Sequence, residues 1–166
     1  MPVLLFVCTA NIIRSPVAEG LFKHKLGERG MASNWIVRSA GTWGKVGLKA
    51  AQETVEILRK QGIYITSHRS RIISSAILEP VDLILTMEQD HKEALNVEFP
   101  NKNGNILLLS EMINMVFDIP DPADEKFADF DNTVSEIDSI LEKGFGRIID
   151  LGNKLSGMKK ENTNDV

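Results

Sequence analysis

The strongest constraint on this chain is a repeated change of hydrophobic period. Residues 3–7, VLLFV, form a continuous apolar run of strand length, and from Ser15 onward Val17, Leu21, Phe22, Lys25 and Leu26 recur at helical intervals. That pairing of strand and helix is repeated downstream. Residues 35–38 read as a second strand ending at the glycine-bearing turn SAGTWG, and residues 48–61 carry Ala51, Val55, Ile57 and Leu58 in a helical pattern that stops at Gly62. A loop through SHRSRI and a weak helix over 74–78 precede VDLILT, residues 81–86, a buried strand followed by the helical MEQDHKEAL. A fourth strand is expected over 106–109. Next comes an irregular region holding IPDPADEKFADFD, then one long helical pattern over 133–155 and a polar tail from Ser156 that is expected to fray. Strands alternating with helices imply a single-domain α/β fold, a parallel sheet with helices on both faces and right-handed crossovers. Ligands bind such sheets at the carboxyl ends of the strands. Cys8 stands at that end of the first strand.

A chain of 166 residues suffices for one core. Its net charge of -4 excludes broad nucleic-acid binding, which needs clustered, uncompensated Lys and Arg. The start, MPVLLFVC, lacks the basic segment of a signal peptide and the length of a membrane span, so a cytoplasmic protein without membrane attachment is expected. A single cysteine forms no internal disulfide and no multi-thiolate metal site.

Cys8 and Arg14 are separated by five residues, and Ser15 follows, in C-T-A-N-I-I-R-S. A short loop entering a helix amino terminus points successive backbone N–H groups inward, and the helix dipole adds positive potential. An anion there would be held by the amides of Thr9, Ala10, Asn11, Ile12, Ile13 and Arg14, with the Arg14 guanidinium adding a two-pronged contact. The same field favours a thiolate at Cys8. The plainer reading of a lone cysteine, a small buried hydrophobe, is set against this spacing and this strand-to-helix setting.

CTANIIRSP resembles the phosphate-binding loop of the low-molecular-weight protein tyrosine phosphatases, C-x-G-N-x-C-R-S-P. The resemblance continues through SAGT, SHRSR, DLILTME and IPDP in the family's order, over roughly residues 3–153. It implies a three-layer α/β/α domain over 1–155, with a four-stranded parallel sheet of order 2-1-3-4, and a polar tail over 156–166. Cys8 would be the nucleophile, Arg14 the group that binds phosphate, and Ser15 a donor to the thiolate. Asn11 would be held in an unusual backbone conformation by a network including Ser39 and His68. Asp121, in the Asp-Pro of IPDP, would be the general acid; the residues alone leave Asp118 and Asp124 as rivals in an acidic stretch. The implied substrate is phosphotyrosine in a protein, with no cofactor and no metal, acted on by a monomer or weak dimer.

Three departures qualify the resemblance. Ala10 replaces a loop glycine, which predicts strain wherever that position needs positive φ. Ile13 replaces a second loop cysteine, leaving Cys8 without an internal disulfide partner. Ala123 and Asp124 stand where relatives carry aromatic residues after Asp-Pro. The substrate cleft is expected to use Ile12, Trp43 and Ala123, and apolar Ile12 favours an aryl ring, whereas relatives acting on phosphoarginine tend to have threonine there. Two other readings stay open: arsenate reduction coupled to an external thiol, and a non-catalytic phosphate- or phosphopeptide-binding relative. His24 and His91 are expected on the surface, Trp35, Met112 and Met115 in the core, and Gly-x-Gly in KGFGR carries no nucleotide signal because it follows no strand.

Overall fold

A computed structural model describes the backbone of residues 1–164 and the side chains of residues 1–158. Four parallel strands, β1 (Val3–Cys8), β2 (Ile36–Gly41), β3 (Leu83–Thr86) and β4 (Ile106–Leu108), form one sheet in the order 2-1-3-4. The helices are α1 (Arg14–Glu28), α2 (Gln52–Lys60), α3 (Ser75–Leu78), α4 (Gln89–Glu98), α5 (Phe130–Lys143) and α6 (Phe145–Asn164). β1 is central and buried along its whole length, which is why it reads as an unbroken apolar run rather than an alternating one. Its side chains nevertheless alternate between layers: Leu4, Phe6 and Cys8 join the core that includes Val17, Leu21, Phe22, Ile137 and Leu141, while Val3, Leu5 and Val7 join Leu78, Leu95 and Phe99 on the other face.

Register brings the carboxyl ends of the strands level. Cys8 lies opposite Gly41, Val7 opposite Thr86, and Thr86 opposite Leu108. The loops leaving these strands therefore share one edge. On one face α1 is tied to α5 by Lys25, whose ammonium lies 2.8 Å from Asp138 and 2.9 Å from Glu142. Burial works against that charge, but the two carboxylates outweigh it and hold the Lys25 pKa above its ordinary value.

Several expectations need correction. The run over 133–155 is two helices broken at Gly144, where a Cβ would stand 2.7 Å from the Cβ of Met112. The polar tail does not fray at Ser156, because α6 continues to Asn164. Strand β2 runs on through Ser39, Ala40 and Gly41, and the helix expected over 48–61 is confined to α2. Met112 is buried but Met115 is 53% exposed, and His91 is buried, not on the surface. Among the described residues no helix is long and apolar enough to cross a membrane.

Candidate active site

The loop between β1 and α1 bends at Asn11, which has φ of 57° although it is not glycine. Its surroundings hold it there. Asn11 Nδ2 donates to Ser15 Oγ and to Ser39 Oγ, both at 2.9 Å, its Oδ1 accepts from the Arg71 amide at 2.9 Å, and its carbonyl accepts from His68 Nε2 at 2.8 Å. Ser39 in turn donates to Glu19 at 2.5 Å. Burial pushes the His68 pKa down, so the ring is favoured in its neutral form with the proton on Nε2. Ala10 is not among the residues with positive φ, so the strain expected at this position is not found; the left-handed bend falls on Asn11.

Ser15 Oγ lies 3.0 Å from Cys8 Sγ and 3.4 Å from the Ala40 carbonyl. With one lone pair taken by Asn11, its single proton is best directed at the sulfur, the shorter contact relative to its partner's size. Cys8 is 3% exposed, and it borders a cavity of about 130 Å³ lined by Ala10, Ile12, Ile13, Arg14, Asp121 and Ala123. Ile12 and Ala123 thus share this cavity with Cys8. Trp43 does not line this cavity; its backbone amide donates to the Thr9 carbonyl at 3.0 Å while its side chain is 76% exposed. Thr9 and Gly41 meet through backbone, since a Cβ on Gly41 would stand 2.5 Å from the Thr9 carbonyl oxygen.

Arg14 is 1% exposed and engaged on both sides of its guanidinium. Nη1 donates to Glu88 and to the Ile119 carbonyl, and Nη2 donates to Thr9 Oγ1 at 3.2 Å and Asp121 Oδ2 at 3.0 Å. Asp121 also takes the Ala123 amide at 3.1 Å on its other oxygen, an Asx-type turn that fixes the carboxylate. The rivals point elsewhere. Asp118 accepts from the Gln89 amide at 2.7 Å, and Asp124 accepts from the Lys126 amide at 3.0 Å. Glu88 was not singled out from the sequence and His91 was placed on the surface; their position just past the carboxyl end of β3 was the available signal.

A larger cleft of about 550 Å³ lies behind the loop, bordered by Glu19, Lys23, Tyr64, His68, Arg69 and Arg71.

Comparison with known proteins bears on the family of the chain. The family described as low molecular weight phosphotyrosine protein phosphatase matches residues 3–154. A probable low molecular weight protein-tyrosine-phosphatase of Ralstonia solanacearum is 32% identical over 149 residues, covering 90% of this chain and 97% of that protein. A protein-arginine-phosphatase of Bacillus subtilis is 31% identical over 141 residues, covering 84% and 92%. The crystal structure of a low molecular weight protein tyrosine phosphatase from T. tengcongensis superposes with a TM-score of 0.81 at 32% identity, covering 89% of this chain and 99% of that one. A family match over residues 3–154, a relative covered over nearly its whole length and a superposable solved structure make this protein a member of the low molecular weight phosphotyrosine protein phosphatase family, a family of hydrolytic enzymes.

Proposed function

We propose that the protein hydrolyses phosphotyrosine in protein substrates through a phosphocysteine intermediate. The observation that carries this reading is the single cavity that Cys8, Arg14 and Asp121 line together, although Arg14 and Asp121 are 107 residues apart in the chain. A phosphoryl group in the loop is held by the amides of residues 9–14 and by Arg14, whose Nη2 it takes over from Asp121. Cys8 Sγ attacks phosphorus in line, a sulfur–phosphorus bond forms, and the ester phosphorus–oxygen bond breaks. Asp121, released from Arg14, takes up a proton from solvent and gives it to the departing phenolate oxygen. In the second half Asp121 takes a proton from water, which displaces Cys8 and frees inorganic phosphate. Ile12 and Ala123 give an apolar wall suited to an aryl ring.

A second substrate reading is phosphoarginine. One of the relatives is a protein-arginine-phosphatase, and the carboxylates of Glu88 and Asp121 close to the cavity complement a guanidinium leaving group. The two readings part on a panel of phosphotyrosine and phosphoarginine peptides. Wild-type protein is expected to release phosphate from an aryl phosphate when assayed over roughly pH 5 to 7. Cys8→Ser abolishes turnover, and Asp121→Asn lowers kcat by about 10²- to 10³-fold for poor leaving groups. Phosphate or vanadate binding without any turnover would replace the enzyme mechanism with a binding role, and arsenate reduction dependent on added thiol would replace hydrolysis.

A further inference from the structure

His91 lies on α4 with its side chain 7% exposed, and its Nδ1 is a buried side-chain polar atom with no hydrogen-bond partner among the described residues. Its Nε2 is 3.0 Å from Thr9 Oγ1, and the same Thr9 oxygen receives Nη2 of Arg14. For the neutral ring two arrangements of protons fit. If Nε2–H donated to Thr9, the hydroxyl proton of Thr9 and the lone pair on Nδ1 would both lack partners. If Thr9 donates to an unprotonated Nε2, one group alone, the Nδ1–H, is left over. The second arrangement leaves fewer groups unpaired, with the Thr9 proton on the ring and a Thr9 lone pair on Arg14, and is preferred.

We propose that His91 is a positioning residue for phosphoryl transfer: its neutral ring takes the Thr9 hydroxyl proton, turning a Thr9 lone pair onto Arg14 and fixing the guanidinium edge that receives phosphate oxygens. Glu88 and the Ile119 carbonyl hold the opposite edge through Nη1, so the guanidinium cannot rotate when substrate displaces Asp121 from Nη2. Burial pushes the His91 pKa down and Arg14 adds to this, opposed by Glu88, Asp118 and Asp90, the charged groups that face the ring. The ring is therefore neutral through the neutral range. A proton added at Nε2 removes the acceptor from Thr9 and draws the ring toward Glu88, whose Oε2 is 3.9 Å away. Acid thus loosens both supports of Arg14 together.

The inference rests on the phosphatase reading of the loop, and its test separates the two. The measurements are kcat and KM for 4-nitrophenyl phosphate and the inhibition constant of orthovanadate, for wild type, His91→Leu, His91→Gln, Thr9→Val and the Leu/Val double variant. His91→Leu and Thr9→Val are each expected to lower kcat/KM and vanadate affinity by about tenfold, the loss of one oriented hydrogen bond to a charged group. The double variant is expected to be no worse than the weaker single one, because both changes cut the same link. Glutamine can accept the Thr9 proton but does not titrate, so His91→Gln restores activity to within about threefold and removes one ionisation from the acid limb of kcat/KM. Equal losses in His91→Leu and His91→Gln, additive losses in the double variant, or superimposable pH profiles for wild type and His91→Gln would overturn the proposal. Should His91→Leu fail to fold, Thr9→Val carries the comparison, being nearly the same shape. A wild type inactive on aryl phosphate sinks the phosphatase reading, but vanadate affinity across the same variants still decides the role of His91.

Discussion

At the residue scale, Asn11 commits both ends of its side-chain amide and its carbonyl to one bend. Left-handed backbone costs a residue other than glycine roughly 1–2 kcal/mol, and each of the buried hydrogen bonds around Asn11 returns about 1 kcal/mol, so the bend persists without a ligand. The same economy explains Ala10, which stands clear of the left-handed region and so needs no glycine. Gly41 is the position where glycine is required, because a Cβ would stand 2.5 Å from the Thr9 oxygen and 2.9 Å from the Ala10 carbonyl carbon. Gly41→Ala must push the loop outward, and a loss of at least tenfold in vanadate affinity is expected, with about 1–3 kcal/mol of stability. Gly27→Ala is the control, with nothing within 4 Å of its added Cβ; it leaves vanadate affinity unchanged. Inhibition kinetics and thermal melts on the two variants check both statements.

At the element scale, α6 closes one face of the sheet by laying Gly152 on Trp35. A Cβ there would come within 2.2 Å of the indole Cη2, so the contact exists only because position 152 has no side chain. Trp35 joins an aromatic cluster around Phe22: Phe22 lies 6.2 Å from it, Phe6 5.9 Å from Phe22, and Phe145 5.4 Å from Phe22. Gly152→Ala is expected to lower stability by roughly 1–3 kcal/mol while the folded protein keeps its turnover of aryl phosphate, since the clash is remote from the loop. Urea denaturation together with a rate measured well below the melting temperature tests this. The strands were legible because buried apolar runs bounded by turns have few alternatives. The break at Gly144 was not. The helical period continues through KGFGR, and it is the approach of Met112 from a segment more than thirty residues earlier that makes a glycine necessary.

At the scale of the whole molecule, stability should respond to pH through two histidines, the buried His91 and the half-buried His68. Both His68 and His91 have folded-state pKa values lowered from 6.5, chiefly by burial. The unfolded chain therefore binds more protons than the folded one just below that value. Their contribution is fully present above about pH 6.5 and is lost as pH falls from there through the lowered folded values. Glu142, held below 4.5 by its hydrogen bond to Lys25, adds a further loss only under more acid conditions. Unfolding free energies from urea titrations at pH 7.5 and pH 5 are expected to differ by more in wild type than in His91→Gln, and equal differences would refute this.

The candidate site divides along the same line. The alternation of strand and helix and the loop from Cys8 to Ser15 were readable, because each depends on neighbours within a few residues, whereas only the resemblance set Asp121 apart from Asp118 and Asp124. Ser39 and His68 were reached only through resemblance, since nothing in SAGT or SHRSR by itself names a partner. His91 was misread as a surface residue because its charged neighbours on α4 resemble a solvated face. What placed it inside was the carboxyl edge of a parallel sheet, which brings Thr9 within 3.0 Å of a ring 82 residues away and Arg14 within reach of Asp121. Local period and turn chemistry thus determined from sequence which elements form and where an anion-holding loop begins. The orientation of Arg14, the burial of His91 and the need for glycine at 41 and 144 were decided by the tertiary structure, because each is a contact between segments whose separation in the chain carries no periodic signal.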